Sequence, residues 1–153
     1  MDKTVVLASS SPSETLAIGR RLAGVLGAGD VVLLAGRLGC GKTLFAGGIA
    51  EGLGVTDEVT SPSFVLVRAY DGLLPVIHAD VYRLGSSGEF EDLELPDWSR
   101  DGVLIVEWGN VVEQGVPVDH LLVEIEIAGD SERVFRFIPR GEWPARRLTE
   151  LMS

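Results

Sequence analysis

Val31-Val32-Leu33-Leu34-Ala35-Gly36-Arg37-Leu38-Gly39-Cys40-Gly41-Lys42-Thr43 is an apolar run that opens into a glycine-rich octet. The first five residues show no polar alternation, as expected of a strand buried on both faces of a parallel sheet. The octet, residues 36–43, matches G-x-x-x-x-G-K-[ST], and a helix is predicted over 42–53. The motif thus lies between a buried strand and a helix, the setting its chemistry requires. Glycines let the backbone curl until successive N–H groups point at phosphate oxygens, and the positive end of the next helix adds to that anion site. Lys42 can reach the β- and γ-phosphates, and Thr43 offers a hydroxyl to a Mg²⁺ ion that bridges them. The competing reading is a glycine-rich turn that matches by accident. It is a poor competitor, because the chain has 19 Gly but only Lys3 and Lys42 to supply the lysine. Cys40 reads either as a small filler beneath the phosphates or as a redox-sensitive thiol near an electropositive site; the filler is the simpler reading.

Outward from this junction the chain alternates short apolar runs with helical patterns, the signature of an α/β fold. Upstream, Val5-Val6-Leu7-Ala8 reads as a strand, and Ser11-Pro12-Ser13-Glu14 as a capping box with proline in the first turn. The helix that follows is predicted to run to about residue 26, with Ile18, Leu22, Val25 and Leu26 on its core-facing stripe. Downstream, 64–70 and 76–81 read as two strands joined by a tight turn at Asp71-Gly72, and 103–107 repeats the buried-strand pattern. Residues 121–127 and 133–138 alternate apolar and polar around Gly129-Asp130, a hairpin with one wet face. The expectation is one P-loop NTPase-like domain over 1–153. Its central sheet is mostly parallel and flanked by helices, with antiparallel hairpins that include one near the C-terminus.

Composition narrows the function. With 153 residues, 46% of them hydrophobic, the chain can fill one core. Its formal net charge of -10, from 23 acidic and 13 basic residues, repels the phosphates of nucleic acid and anionic lipid. Direct tight RNA binding is therefore disfavoured; on a nucleic-acid pathway a basic partner would hold the nucleic acid. The single cysteine, Cys40, cannot form an internal disulfide, and no Cys/His spacing suits zinc. The apolar stretch 5–8 is too short for a signal-peptide core, and no run approaches the roughly 20 residues of a membrane span. A soluble, cytoplasmic protein is expected.

A phosphate loop needs a carboxylate at the end of a neighbouring strand to hold the magnesium shell. Glu107, ending Leu104-Ile105-Val106-Glu107, is the candidate, one methylene longer than the usual Asp; the alternative is a solvated strand end. In His78-Ala79-Asp80-Val81-Tyr82-Arg83, alternation places His78, Asp80 and Tyr82 on one face of a strand. Asp80 can orient the attacking water or a magnesium-bound water, whereas His78 and Tyr82 taken alone read more simply as structural residues. Thr60-Ser61-Pro62-Ser63-Phe64 occupies the position of a loop that senses the γ-phosphate, or is a plain proline turn.

Taken together, the octet, Thr60-Ser61-Pro62-Ser63-Phe64, His78-Ala79-Asp80-Val81-Tyr82-Arg83-Leu84 and Ile105-Val106-Glu107-Trp108-Gly109 resemble the TsaE family in order and spacing over nearly the whole chain. The later three motifs, rather than the phosphate loop, single that family out. The resemblance implies a P-loop ATPase of bacterial tRNA threonylcarbamoyladenosine biosynthesis that uses ATP and Mg²⁺ and associates with the TsaB–TsaD pair carrying the transferase site. It implies that Gly36, Arg37, Leu38, Gly39, Cys40, Gly41, Lys42, Thr43 and Leu44 contact the nucleotide and that Thr43 and Glu107 hold the metal. Lys42, Asp80 and Glu107 would serve hydrolysis, 60–64 would be a mobile switch, and Trp108 would belong to a second one. The sequence departs from the family pattern at Arg37, where Asp is common, at Cys40, where Ala is common, at Leu44, where a second Thr is common, and at Ser63, where Thr is common. None of these removes a phosphate or metal ligand.

Three rivals share the loop. A small-molecule or nucleotide kinase would need lid arginines, for which Arg140, Arg146 and Arg147 are available unless they form a solvated helix face. A GTP-dependent switch would need Asn-Lys-x-Asp, but the only asparagine, Asn110, is followed by Val111. A non-hydrolytic ATP sensor would not depend on Asp80.

Overall fold

The capping box forms. Ser11 is extended (φ -158°, ψ 160°), and its hydroxyl accepts the Glu14 N–H at 3.1 Å. The Glu14 carboxylate returns to the backbone N–H of Ser10 at 2.6 Å, one residue before the position usual in this motif. These bonds launch helix α1 (Pro12–Ala23) after strand β1 (Val5–Ser9). The computed structural model describes residues 3–37, 39–57, 59, 67–81, 94–107 and 113–152. Helix α1 ends before the predicted residue 26 because Gly24, Val25 and Leu26 turn through i to i-3 bonds to Arg21, Leu22 and Ala23, a tightening common at helix ends.

Strand β2 (Val31–Gly36) leads through the glycine loop into α2 (Lys42–Gly52). The hairpin β3 (Val67–Tyr70) and β4 (Val76–Asp80) turns through 71–75, longer than the tight turn expected. Helix α3 (Leu95–Trp98), β5 (Val103–Glu107), a 3-10 turn at Glu113–Gly115, the hairpin β6 (His120–Ile127) and β7 (Arg133–Arg140), and a 3-10 segment Ala145–Met152 complete the described chain. Residues 64–66 of the first predicted hairpin lie outside the described residues.

The seven described strands join one sheet in the order β1-β7-β6-β2-β5-β4-β3. Strands β6, β2, β5 and β4 run parallel, and both margins are antiparallel. The pattern read from sequence, buried runs in the centre and alternating hairpins outside, is the pattern of this sheet. One face packs on α1 and α2, where Leu22, Phe45 and Ile49 meet Leu34, Ile105 and Val123. Phe45 also lies against Phe135 and Phe137 of the outer hairpin, with ring centroids 5.0 and 6.2 Å away. Under the opposite face, Leu33, Ile77, Leu104 and Val106 pack with Leu95 of α3 and with Val116. Each fully buried Leu or Ile here contributes about 1.5–3 kcal/mol.

Helices α1 and α2 approach to backbone contact. A Cβ on Gly48 would sit 2.5 Å from the Leu16 carbonyl oxygen, and one on Gly19 would sit 2.7 Å from that of Phe45. Any side chain at either position would push α2 away, and the start of α2 carries Lys42 and Thr43. Among the described residues, no helix is long and apolar enough to cross a membrane.

Candidate nucleotide-binding site

The loop leaves β2 at the carboxyl end of the parallel strands, where ligands of open α/β sheets bind. Gly39 and Gly41 adopt φ of 84° and 105°, values that a residue with a Cβ rarely takes. Gly41 caps α2, and its carbonyl accepts the first helical bond, from the Phe45 N–H at 2.9 Å. Lys42 folds back into the loop. Its Nζ donates to the carbonyls of Gly36 at 2.7 Å and Arg37 at 3.2 Å and lies 3.7 Å from Cys40 Sγ. Cys40 is buried, and its sulfur fills the space that a Cβ on Gly36 would need, in keeping with the filler reading. Arg37 is exposed, and Leu38 lies outside the described residues.

Beside the loop, Thr43 Oγ1 donates to Glu107, at 3.0 Å from Oε1 and 3.1 Å from Oε2. This contact exists because β5 pairs with β2, bringing the end of 103–107 against the start of α2. Glu107 is 3% exposed, so it is no solvated strand end. His78 Nε2 lies 2.5 Å from Glu107 Oε2, and His78 Nδ1 is buried with no partner among the described residues. That arrangement places the proton on Nε2, since the carboxylate can only accept. Asp80, also buried, is the register partner of Glu107 on β4. His78, Asp80 and Glu107 share the α2-facing side of the sheet, as alternation along β4 required.

Lys42, Thr43 and Glu107 therefore meet at the glycine loop, and Asp80 lies beside Glu107 on the next strand. His78, given a structural role from sequence, is drawn into the same cluster; its period-two spacing from Asp80 was the available signal. Leu44 lines both a cleft of about 180 Å³ with Ser11, Thr15 and Arg133 and a cavity of about 700 Å³ with Leu16, Thr43 and Val55. The segment 60–64, Tyr82 and Trp108 lie outside the described residues. Arg133, absent from every motif, donates from β7 to the Cys40 carbonyl at 3.0 Å.

The lid arginines are not at this site. Arg140 Nε binds Glu113 at 2.9 Å, and Arg147 Nη1 binds Asp30 at 2.7 Å with its guanidinium 5.1 Å above Trp143. Asp30 precedes β2, so both lie at the end of the sheet opposite the loop, and exposed Arg146 shares the 3-10 segment of Arg147.

The donor set fits Mg²⁺. Thr43 and Glu107 offer hard oxygen atoms, and no group of three or more His, Cys, Asp or Glu side chains among the described residues forms a metal cage. Magnesium needs no such cage, because it takes one or two protein oxygens and completes its shell with phosphate and water.

The fold recurs in a known structure, and the sequence has close relatives. The chain superposes on the crystal structure of Bacillus subtilis YdiB with a TM-score of 0.82 at 37% identity, covering 99% of this chain and 96% of that one. It is 44% identical to the tRNA threonylcarbamoyladenosine biosynthesis protein TsaE of Bacillus subtilis over 86% of this chain and 83% of that protein. To the TsaE protein of Streptomyces coelicolor it is also 44% identical, over 79% and 85%. The family model for the threonylcarbamoyl adenosine biosynthesis protein TsaE matches residues 9–135, from the end of β1 into β7, and the chain belongs to that family.

Proposed function

We propose that this protein is a Mg²⁺-dependent ATPase that supports tRNA threonylcarbamoyladenosine formation by acting on a TsaB–TsaD-like protein pair. The observation that carries the reading is the Thr43–Glu107 contact beside the glycine loop, a half-buried hydroxyl on a buried carboxylate next to a lysine held inside that loop. In this reading the loop N–H groups and Lys42 bind the phosphates, while Thr43 and Glu107 would hold a Mg²⁺ ion, which would supply positive charge to the phosphoryl oxygens. Asp80, on the strand beside Glu107, orients the attacking water. His78 keeps the Glu107 carboxylate turned towards Thr43. Hydrolysis is weak alone and rises with partners. The net charge of -10 leaves tRNA to those partners.

The test is phosphate release from Mg-ATP by the pure protein, alone and with a TsaB–TsaD pair, using Lys42→Ala as the blank. Hydrolysis that rises with the partners and disappears in the blank supports the proposal. Transfer of phosphate to a small molecule would instead make it a kinase, and ATP binding without phosphate release under any combination would make it a sensor.

A further inference from the structure

Arg133 opens β7 far from every recognised motif, yet its guanidinium makes four hydrogen bonds to backbone carbonyls. Three of them close on its own hairpin turn, from Nη1 to Gly129 at 2.9 Å, Asp130 at 3.3 Å and Glu132 at 2.9 Å. They hold the side chain in one orientation. The fourth leaves the hairpin, from Nε to the Cys40 carbonyl inside the phosphate loop, 93 positions earlier in the chain.

From this geometry we infer that Arg133 is a positioning residue for the phosphate loop, acting through the Cys40–Gly41 peptide. The described chain has no cis peptide bond, and in a trans peptide the carbonyl and the following N–H point in opposite directions. Fixing the Cys40 oxygen therefore fixes the aim of the Gly41 N–H, on the far side of that peptide from Arg133. No described hydrogen bond within the protein uses the Gly41 N–H, which leaves it for a ligand. Gly41 has φ of 105° and no side-chain cap, so its own chemistry imposes little on this peptide and the restraint comes from outside. A cation on the carbonyl also polarises the peptide and strengthens its N–H as a donor. The inference rests on the nucleotide reading and adds to it a residue that anchors the loop to the β6–β7 hairpin.

Isothermal titration of ADP and of inorganic tripolyphosphate into wild type, Arg133→Lys and Arg133→Met, with a thermal melt of each, tests it. Because the brace acts on the phosphate site, Arg133→Met should weaken both ligands by the same factor, about tenfold or more, the scale of one hydrogen bond to a charged group. Arg133→Lys should recover part of the loss, since an ammonium can reach the Cys40 carbonyl. Unchanged tripolyphosphate affinity in a folded Arg133→Met overturns the inference, whatever its melting temperature, because a purely structural arginine would move only the melt. Should Arg133→Met not fold, the Gly41 amide resonance decides. A shift in Arg133→Lys with weakened binding supports the brace, and an unmoved resonance with wild-type affinity overturns it. Wild type that binds neither ligand would instead sink the nucleotide reading, and the inference with it.

Discussion

Two buried histidines, each hydrogen-bonded to a glutamate, stand at opposite ends of this sheet and are built differently. At the lower end, each ring nitrogen of His120 meets an oxygen 2.8 Å away, Nδ1 the Pro117 carbonyl and Nε2 Glu113 Oε2, and Arg140 donates to the same carboxylate oxygen at 2.9 Å. At the loop end, His78 reaches Glu107 through Nε2 alone, its Nδ1 has no partner among the described residues, and the Glu107 carboxylate is shared with a neutral hydroxyl, Thr43. A buried polar network with every member satisfied serves stability, whereas one left short of partners needs a further explanation. The lower cluster ties the start of β6 to the end of β7. The upper one keeps a buried carboxylate without a cationic side chain in its described hydrogen bonds, beside a second carboxylate, Asp80, which is suited to receiving a metal ion.

Short of altering Glu107 itself, the largest effect that would sharpen this contrast is Asp80→Asn, expected to lower ATP hydrolysis by about 10²-fold while nucleotide affinity stays within a few-fold, read by phosphate release and titration. Unaltered hydrolysis would return Asp80 to a structural role. Next, His120→Leu leaves Glu113 and the Pro117 carbonyl short of a donor, so chemical denaturation should register a loss of about 2 kcal/mol, with turnover per folded molecule unchanged. The conservative His78→Gln retains an N–H donor towards Glu107 but not the same placement. About tenfold lower activity and a raised Mg²⁺ requirement are expected, with little change in melting temperature; a large stability loss with normal Mg²⁺ dependence would make the two histidines alike.

The smallest effect is a pH dependence. Burial pushes the Glu113 carboxyl up, but hydrogen bonds from His120 and Arg140 and their charges outweigh it and hold the group below its ordinary 4.5. A carboxyl lowered in the folded state stabilises the protein above the unfolded value, and that contribution is lost as pH falls through the folded value. Stability should therefore drop on acidification below about pH 4.5, and Glu113→Gln should remove that part of the drop. Identical acid profiles for the two proteins would count against the clamp.

Much of the loop end was legible because its signals are local. The octet, the buried runs 31–35 and 103–107, and the spacing of His78 from Asp80 lie within short windows, and Glu107 stands out as the polar end of an apolar strand. What joins these pieces is non-local. Thr43 meets Glu107 only because β5 lies beside β2, and His78 meets Glu107 only because β4 lies beside β5; spacing along the chain encodes neither adjacency. Arg133 was invisible for the same reason, since its partner at Cys40 is a backbone carbonyl that leaves no trace in sequence. Arg140 and Arg147 misled in the opposite sense, because arginine near a terminus suggests a lid until Glu113 and Asp30 are seen to hold them at the far end.

The most direct test of the account compares Glu107→Gln with Glu113→Gln for Mg²⁺-dependent ATP turnover and thermal stability, side by side. The account predicts that Glu107→Gln loses turnover by about 10²–10³-fold, in the range for removing one key electrostatic group, and melts close to wild type. It predicts that Glu113→Gln turns over normally and melts about 2–4 °C lower, as expected for a loss near 1 kcal/mol. Normal Mg²⁺-dependent turnover in Glu107→Gln would contradict the assignment of the metal-binding carboxylate and with it the central claim.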